Sequence, residues 1–173
     1  FVSTGHGVQY IRDATLPNGN RFVRITEVIV PTARSVPPPT VDGDDPEGET
    51  EPARMVGWWV PIDDTHTMGF HIEFRPAGMR GAAYQPTEPY ERDYVERQRR
   101  PDDWEAQVGQ GPIVNHAREH LGVSDMGIVM FRRLLSDGIA AIARGEDPPG
   151  VQRDVENPVF EIGARNQVTA PDG

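Results

Sequence analysis

The chain has 173 residues, 27 acidic and 17 basic side chains and a formal net charge of −10; every basic residue is arginine, and cysteine is absent. That length suits one domain, and the missing cysteine excludes a disulfide framework, a thiol nucleophile, a Cys-ligated zinc and any iron–sulfur cluster held within the chain. The acidic balance argues against phosphate-driven nucleic-acid binding, and no apolar run reaches the ~18 residues that span a membrane.

The first residues, Phe1-Val2-Ser3-Thr4, carry neither an initiator Met nor the charged-then-apolar pattern of a signal peptide. The chain therefore reads as a piece of a longer, cytoplasmic protein. Proline (17) and glycine (18) make up about a fifth of the residues and fall in clusters, so they mark breaks between elements.

In chain order, Gly7 to Arg12 alternates as a strand does, and Pro17-Asn18-Gly19-Asn20 supplies a turn. Arg21 to Val30 follows as a β-branched run. Asn-Gly between two alternating runs is the strongest short-range hairpin signal. Residues 31–52 hold three consecutive prolines and many acids but few large apolar side chains, which suggests a mobile acidic loop. Met55 to Pro61 and Thr65 to Phe74 read as a second strand pair, giving an expected four-stranded antiparallel sheet in the first half. Glu88 to Arg100 reads as a short helix or irregular arm ending at Pro101.

Ser124 to Arg144 is the clearest element. Ile128, Phe131, Leu134, Leu135, Ile139 and Ile142 recur at spacings of three and four and stripe one helical face. Ser124 and Asp125 can cap it, and Gly145 with Pro148-Pro149 ends it. Residues 159–173 lack a periodic core pattern and read as an irregular tail. A sheet followed by one long amphipathic helix packs as an α+β sandwich, here a single domain over residues 1–173.

Several motifs have bland explanations. His66 and His71 lie five positions apart, a spacing that places them on opposite faces of a strand and about 140° apart on a helix. Neither arrangement lets the pair ligate one metal, so both histidines are expected to be exposed or satisfied by local partners. Asp63-Asp64 is expected to serve a solvated turn. The arginines of the Tyr94–Trp104 segment are expected to stack on its aromatics or pair with Asp93 and Glu96.

Two residues carry sharper possibilities. Asp125 in the first helical turn is either a cap or dipole partner, or an inward carboxylate supplying one hard oxygen ligand to a metal. Arg12 is either a surface salt-bridge arginine or a bidentate anchor for a substrate carboxylate.

The run Gln110-Gly111-Pro112-Ile113, then Arg118-Glu119-His120-Leu121-Gly122, Ser124-Asp125 and Arg132-Arg133-Leu134-Leu135 resembles the C-terminal catalytic part of Rieske non-haem iron oxygenases. The branch containing phthalate dioxygenase is the most similar. Supporting likenesses are the strand Arg21 to Val30 with Pro31, Pro61 to Thr67, and Asp93-Tyr94 ahead of Gln98-Arg99. The resemblance spans roughly residues 7 to 150, and Glu119 to Asp125 with Arg132-Arg133 is its most specific part.

The resemblance implies a helix-grip fold, of the START-like kind, in which an antiparallel sheet curls around a long C-terminal helix. It gives Asp125 the carboxylate role in a 2-His-1-carboxylate Fe(II) site. It also implies an oxygenase that uses O2 to dihydroxylate, hydroxylate or O-dealkylate an aromatic acid or ether. Electrons would come from a ferredoxin-type or flavin reductase through a [2Fe–2S] cluster elsewhere in the parent, which would be a trimer or multiple of trimers. No segment of this chain matches the family's histidine-bearing helix or its cluster ligands, so the chain alone is expected to be inactive. Asn115-His116 stands where the family carries an Asp-Arg pair. The competing reading is a non-catalytic helix-grip module that binds an apolar small molecule; such a carrier has no use for an inward carboxylate at Asp125.

Overall fold

In the computed structural model, residues 1–37, 50–75, 93–101, 103–156, 158–159 and 161–171 are described. They begin with β1 (Val2–Ser3), β2 (Gly7–Thr15) and β3 (Arg21–Ile29). Short β4 (Ala33–Ser35) and β5 (Thr50–Pro52) precede β6 (Met55–Pro61) and β7 (Thr67–Glu73). Helices α1 (Tyr94–Arg99), α2 (Asp103–Val108) and α3 (Met126–Ala143) follow, and β8 (Arg165–Thr169) closes the order. The described residues group into two units: residues 1–60, 68–74 and 121–173 in the larger, 61–67 and 75–120 in the smaller.

The larger unit is built on the β2–β3 hairpin. Leu16 and Asn20 close it, Gly19 takes the left-handed φ of 88° that the turn requires, and the Asn18 side chain accepts from the Asn20 N–H. The two strands stay in register from Thr15 opposite Arg21 to Gly7 opposite Ile29. The outer edge of β3 is divided: its first half pairs with β8 and its last three residues with β4. From β4 the sheet continues through β6 to β7, and β5 pairs with β8, so all eight strands join one sheet. Every pairing with a recorded register is antiparallel, as strands joined by short turns allow.

Helix α3 occupies the expected span and packs against β2, but its buried residues are Gly138 and Ala141, while Ile128, Ile139 and Ile142 of the expected apolar stripe are exposed. Its Gly138 faces Pro148 and Pro149 at van der Waals distance from a would-be Cβ. Gly145, at φ 77°, lets the chain turn back so that the N–H groups of Arg144 and Glu146 bond the Ala141 carbonyl.

Three expectations change. The sheet has eight strands where four were expected. Arg165–Thr169 is a strand, where polarity suggested an irregular tail; its Asn166 and Val168 are buried by pairing with β3 on one side and β5 on the other. The ends of the 31–52 stretch are strands β4 and β5, while residues 38–49 lie outside the described part. The start of the arm expected at Glu88 to Arg100 also lies outside it, and α1 occupies the end.

One interior residue was not foreseen. Glu27, in the middle of β3, has no solvent exposure. Its carboxylate accepts from the His6 ring at 3.1 Å, the Gln9 amide at 3.1 Å and the Gly163 N–H at 2.7 Å. Gln9 is its cross-strand neighbour, His6 comes from the residue just before β2, and Gly163 from the C-terminal segment just ahead of β8. A buried carboxylate without donors costs several kcal/mol, and each charge-assisted bond returns roughly 1.5–3 kcal/mol. Glu27→Gln turns an acceptor into a donor among donors. It is expected to lower the unfolding free energy by about 2 kcal/mol or more in urea titrations, against little change for the exposed Glu156→Gln.

Candidate functional site

Asp125 ends a turn of 3₁₀ helix, Val123–Asp125, that runs directly into α3. Its Oδ2 accepts from the Gly122 N–H at 2.8 Å, so the carboxylate folds back over its own turn. That bond accounts for one oxygen; the other has no protein partner among the described residues. The side chain is half-buried. Asp125 therefore acts locally as a turn clamp and still presents one carboxylate oxygen.

The helix start also meets the sheet. Phe1 packs against the first turn of α3 so closely that a Cβ on Gly127 would overlap its ring. The Phe1 ring stands 5.4 Å from that of Tyr10, tilted by 41°. Tyr10 and Arg12 are two residues apart on β2 and share a face. Arg12 is exposed, has no ion pair among the described residues, and lies opposite Arg24. Arg24 in turn donates to the Pro37 carbonyl at 2.8 Å. Salt-bridging, the bland expectation for Arg12, is not seen among the described residues.

The other sequence candidates serve local structure. Asp63 organises the tip between β6 and β7, accepting from the Thr65 and His66 N–H groups and from the His66 ring. Asp93 caps α1 by accepting from the Glu96 N–H, and Arg97 approaches Glu105 at 4.0 Å. Asn115 accepts from the Ala117 N–H at 3.1 Å and starts a 3₁₀ turn at His116–Arg118. His66 and His71 belong to no cluster: among the described residues, no group of three His, Cys, Asp or Glu side chains could hold a metal ion. The donor set therefore supplies a metal with at most Asp125 from the helix start. Two apolar cavities of about 140 and 220 Å³ flank Val30-Pro31, and neither is lined by Asp125 or Arg12.

No protein-family model matches the chain. Phenoxybenzoate dioxygenase subunit alpha of Ectopseudomonas oleovorans is 32% identical over 179 aligned positions, which cover 99% of this chain and 41% of that protein. The tert-butanol monooxygenase / tert-amyl alcohol desaturase oxygenase subunit of Aquincola tertiaricarbonis is 38% identical over 60% of the chain and 24% of its own length. The 5,5'-dehydrodivanillate O-demethylase oxygenase subunit of a Sphingobium species is 46% identical over 30% of the chain and 12% of its own length.

Along nearly its whole length the chain is similar to a Rieske oxygenase subunit.

It spans less than half the length of these Rieske oxygenase subunits. No helix among the described residues is long and apolar enough to cross a membrane.

The Thr65 N–H and the His66 ring hold the Asp63 carboxyl below its ordinary pKa. A depressed carboxylate contributes stability that is complete above the unfolded pKa and disappears as pH falls through the folded one. The side-chain resonances of Asp63 are accordingly expected to titrate below those of a solvated Asp. In Asp63→Asn the local shifts of Thr65 and His66 should lose that acid-range transition; a titration at the ordinary Asp value would contradict the assignment.

Proposed function

We propose that this chain is the C-terminal part of an oxygenase catalytic domain that acts on an aromatic acid or ether with O2. Asp125 is its carboxylate contribution to a mononuclear Fe(II) site. The observation that carries this reading is Asp125 itself: a half-buried carboxylate at the mouth of the long helix, with one oxygen engaged by its turn and one unengaged. The relatives' names describe oxygenases, and two of the three named above name aromatic acids, which supports the substrate class.

When bound, Fe(II) with open positions activates O2, with electrons from the parent's [2Fe–2S] cluster and a ferredoxin-type or flavin reductase. This chain's own residues position. The Gly122 N–H fixes one Asp125 oxygen and so aims the other. Arg12, on an exposed strand face with no competing carboxylate, holds a substrate carboxylate through its planar guanidinium. The sheet curls around α3 in the helix-grip manner. The parent is a cytoplasmic trimer or multiple of trimers, and this chain alone does not turn over substrate.

The test is iron content of the oxygenase that carries this chain. Asp125→Ala is expected to reduce bound iron to background and abolish turnover. The melting temperatures of the iron-free native and variant proteins should differ little, because the lost bond to Gly122 is a single turn contact worth about 1 kcal/mol. Full iron occupancy in Asp125→Ala would contradict the proposal.

A further inference from the structure

We infer that the apolar face of β7 is an internal interface, covered in the intact oxygenase by a segment of the same polypeptide that lies upstream of these 173 residues. The inference rests on the reading above that this chain is the C-terminal part of its parent, and it adds where the two parts meet.

The side chains of β7 alternate. Met68, Phe70 and Ile72, with Phe74 just after the strand, take one face, while Thr67, His71 and Glu73 take the other. Such alternation marks a strand with one covered face. Yet Phe70 and Ile72 are 52% and 53% exposed, and Met68 and Phe74 are exposed as well.

The neighbouring strand tells which face this is. β7 is hydrogen-bonded to β6, and the Phe74 N–H bonds the Arg54 carbonyl. A Cβ on Gly57 would meet the Phe70 carbonyl and His71, and one on Gly69 would meet the Trp59 ring. These contacts share one antiparallel register, which sets Phe70 opposite Trp58 and Ile72 opposite Val56. Trp58 and Val56 lie opposite Ala33 and Ser35, which in turn lie opposite Ile29 and Glu27. Directly opposed residues share a face, so the apolar side chains of β7 continue the face that buries Glu27.

Along that face the burial stops at β6. Ile29 and Ala33 are 5% and 9% exposed where the C-terminal segment lies over them. There Gly163 donates to Glu27, and Gly150 and Ile162 line a cavity with Ala33, Val56 and Trp58. Beyond it the four β7 side chains stand bare over roughly 20 Å from Met68 to Phe74. None of the four is charged, in a chain where a quarter of the residues are. A contiguous apolar surface of this kind resembles a domain core cut open more than a transient docking site. What a half-covered sheet lacks is the rest of its second layer. The polypeptide has the length to supply it, since these residues span 41% of the phenoxybenzoate dioxygenase subunit. The covered half of the face is already closed by the chain's own segment, and the same solution extends to β7.

The test uses the native oxygenase that carries this chain. Hydroxyl-radical footprinting should modify Met68 and Phe70 at least about tenfold more slowly than in the urea-unfolded protein, as buried side chains require. A photoreactive benzoylphenylalanine in place of Phe70 then identifies the cover. Cross-links are expected within one polypeptide, at a single subunit's mass on a denaturing gel, and mapping upstream of Phe1. Unfolded-like modification of Met68 and Phe70 would overturn the inference without any substitution. A product of two subunits' mass, a cross-link to the reductase, cross-links confined to these 173 residues, or no cross-link at all would also overturn it. Iron assayed on the same samples separates the two proposals. Normal iron with an unprotected β7 removes the cover alone, whereas a β7 cross-linked upstream in a protein that never holds iron removes the oxygenase reading alone.

Discussion

The carboxylate of Glu27 is sealed from water in the middle of β3, and three donors from three different segments converge on it. A charge in that position is tolerated only while every donor stays in place. The requirement therefore fixes the approach to β2 through His6, the register of β2 against β3 through Gln9, and the return of the C-terminal segment through Gly163. A Cβ at Gly163 would have to displace the Gln9 amide, which itself donates to Glu27. With that segment anchored, β8 can complete the first half of the outer edge of β3 and receive β5 in turn.

That arrangement divides the labour between the two faces of the β2–β3 hairpin. The face carrying Gln9, Glu27 and Ser35 is structural: Ser35 lies opposite Glu27 and donates to the Met55 carbonyl, while Ile29, Ala33, Val56 and Trp58 line an apolar cavity with Ile162. The face carrying Tyr10 and Arg12 is the one Phe1 connects to the start of α3. A rigid hairpin is what keeps an aromatic ring and a guanidinium at a constant interval from each other. The spacing of side chains on that face depends on the register and hence on the buried acid behind it.

The sequence made the strongly patterned elements legible. Asn18-Gly19 between alternating runs announced the β2–β3 hairpin, and the apolar stripe from Ile128 to Ile142 announced α3 almost to its ends. Polar strands were the blind spot. Arg165-Asn166-Gln167-Val168-Thr169 has one large apolar residue, and only its neighbours on both sides make it a strand. Glu27 was hidden for a related reason: an acid within Ile25-Thr26-Glu27-Val28-Ile29 reads as a solvent-facing position until its donors are known, although a lone charge in a β-branched run is itself a signal. At Asp125 residue type left cap and ligand open. The structure shows one oxygen in the turn, and the ligand role proposed above would give the other a use. Tyr10 passed as an ordinary strand aromatic, because half-exposure is not written in the sequence.

The central claim is the proposal that the helix start delivers one metal ligand, Asp125, in a chain whose described residues hold no group of three ligating side chains. The most direct measurement is an anomalous-difference map at the iron absorption edge from crystals of the oxygenase that carries this chain. The account predicts a single iron peak within bonding distance of the Asp125 carboxylate, with no peak at His66 or His71. A peak coordinated by either of those histidines, or an iron site remote from Asp125, would contradict it.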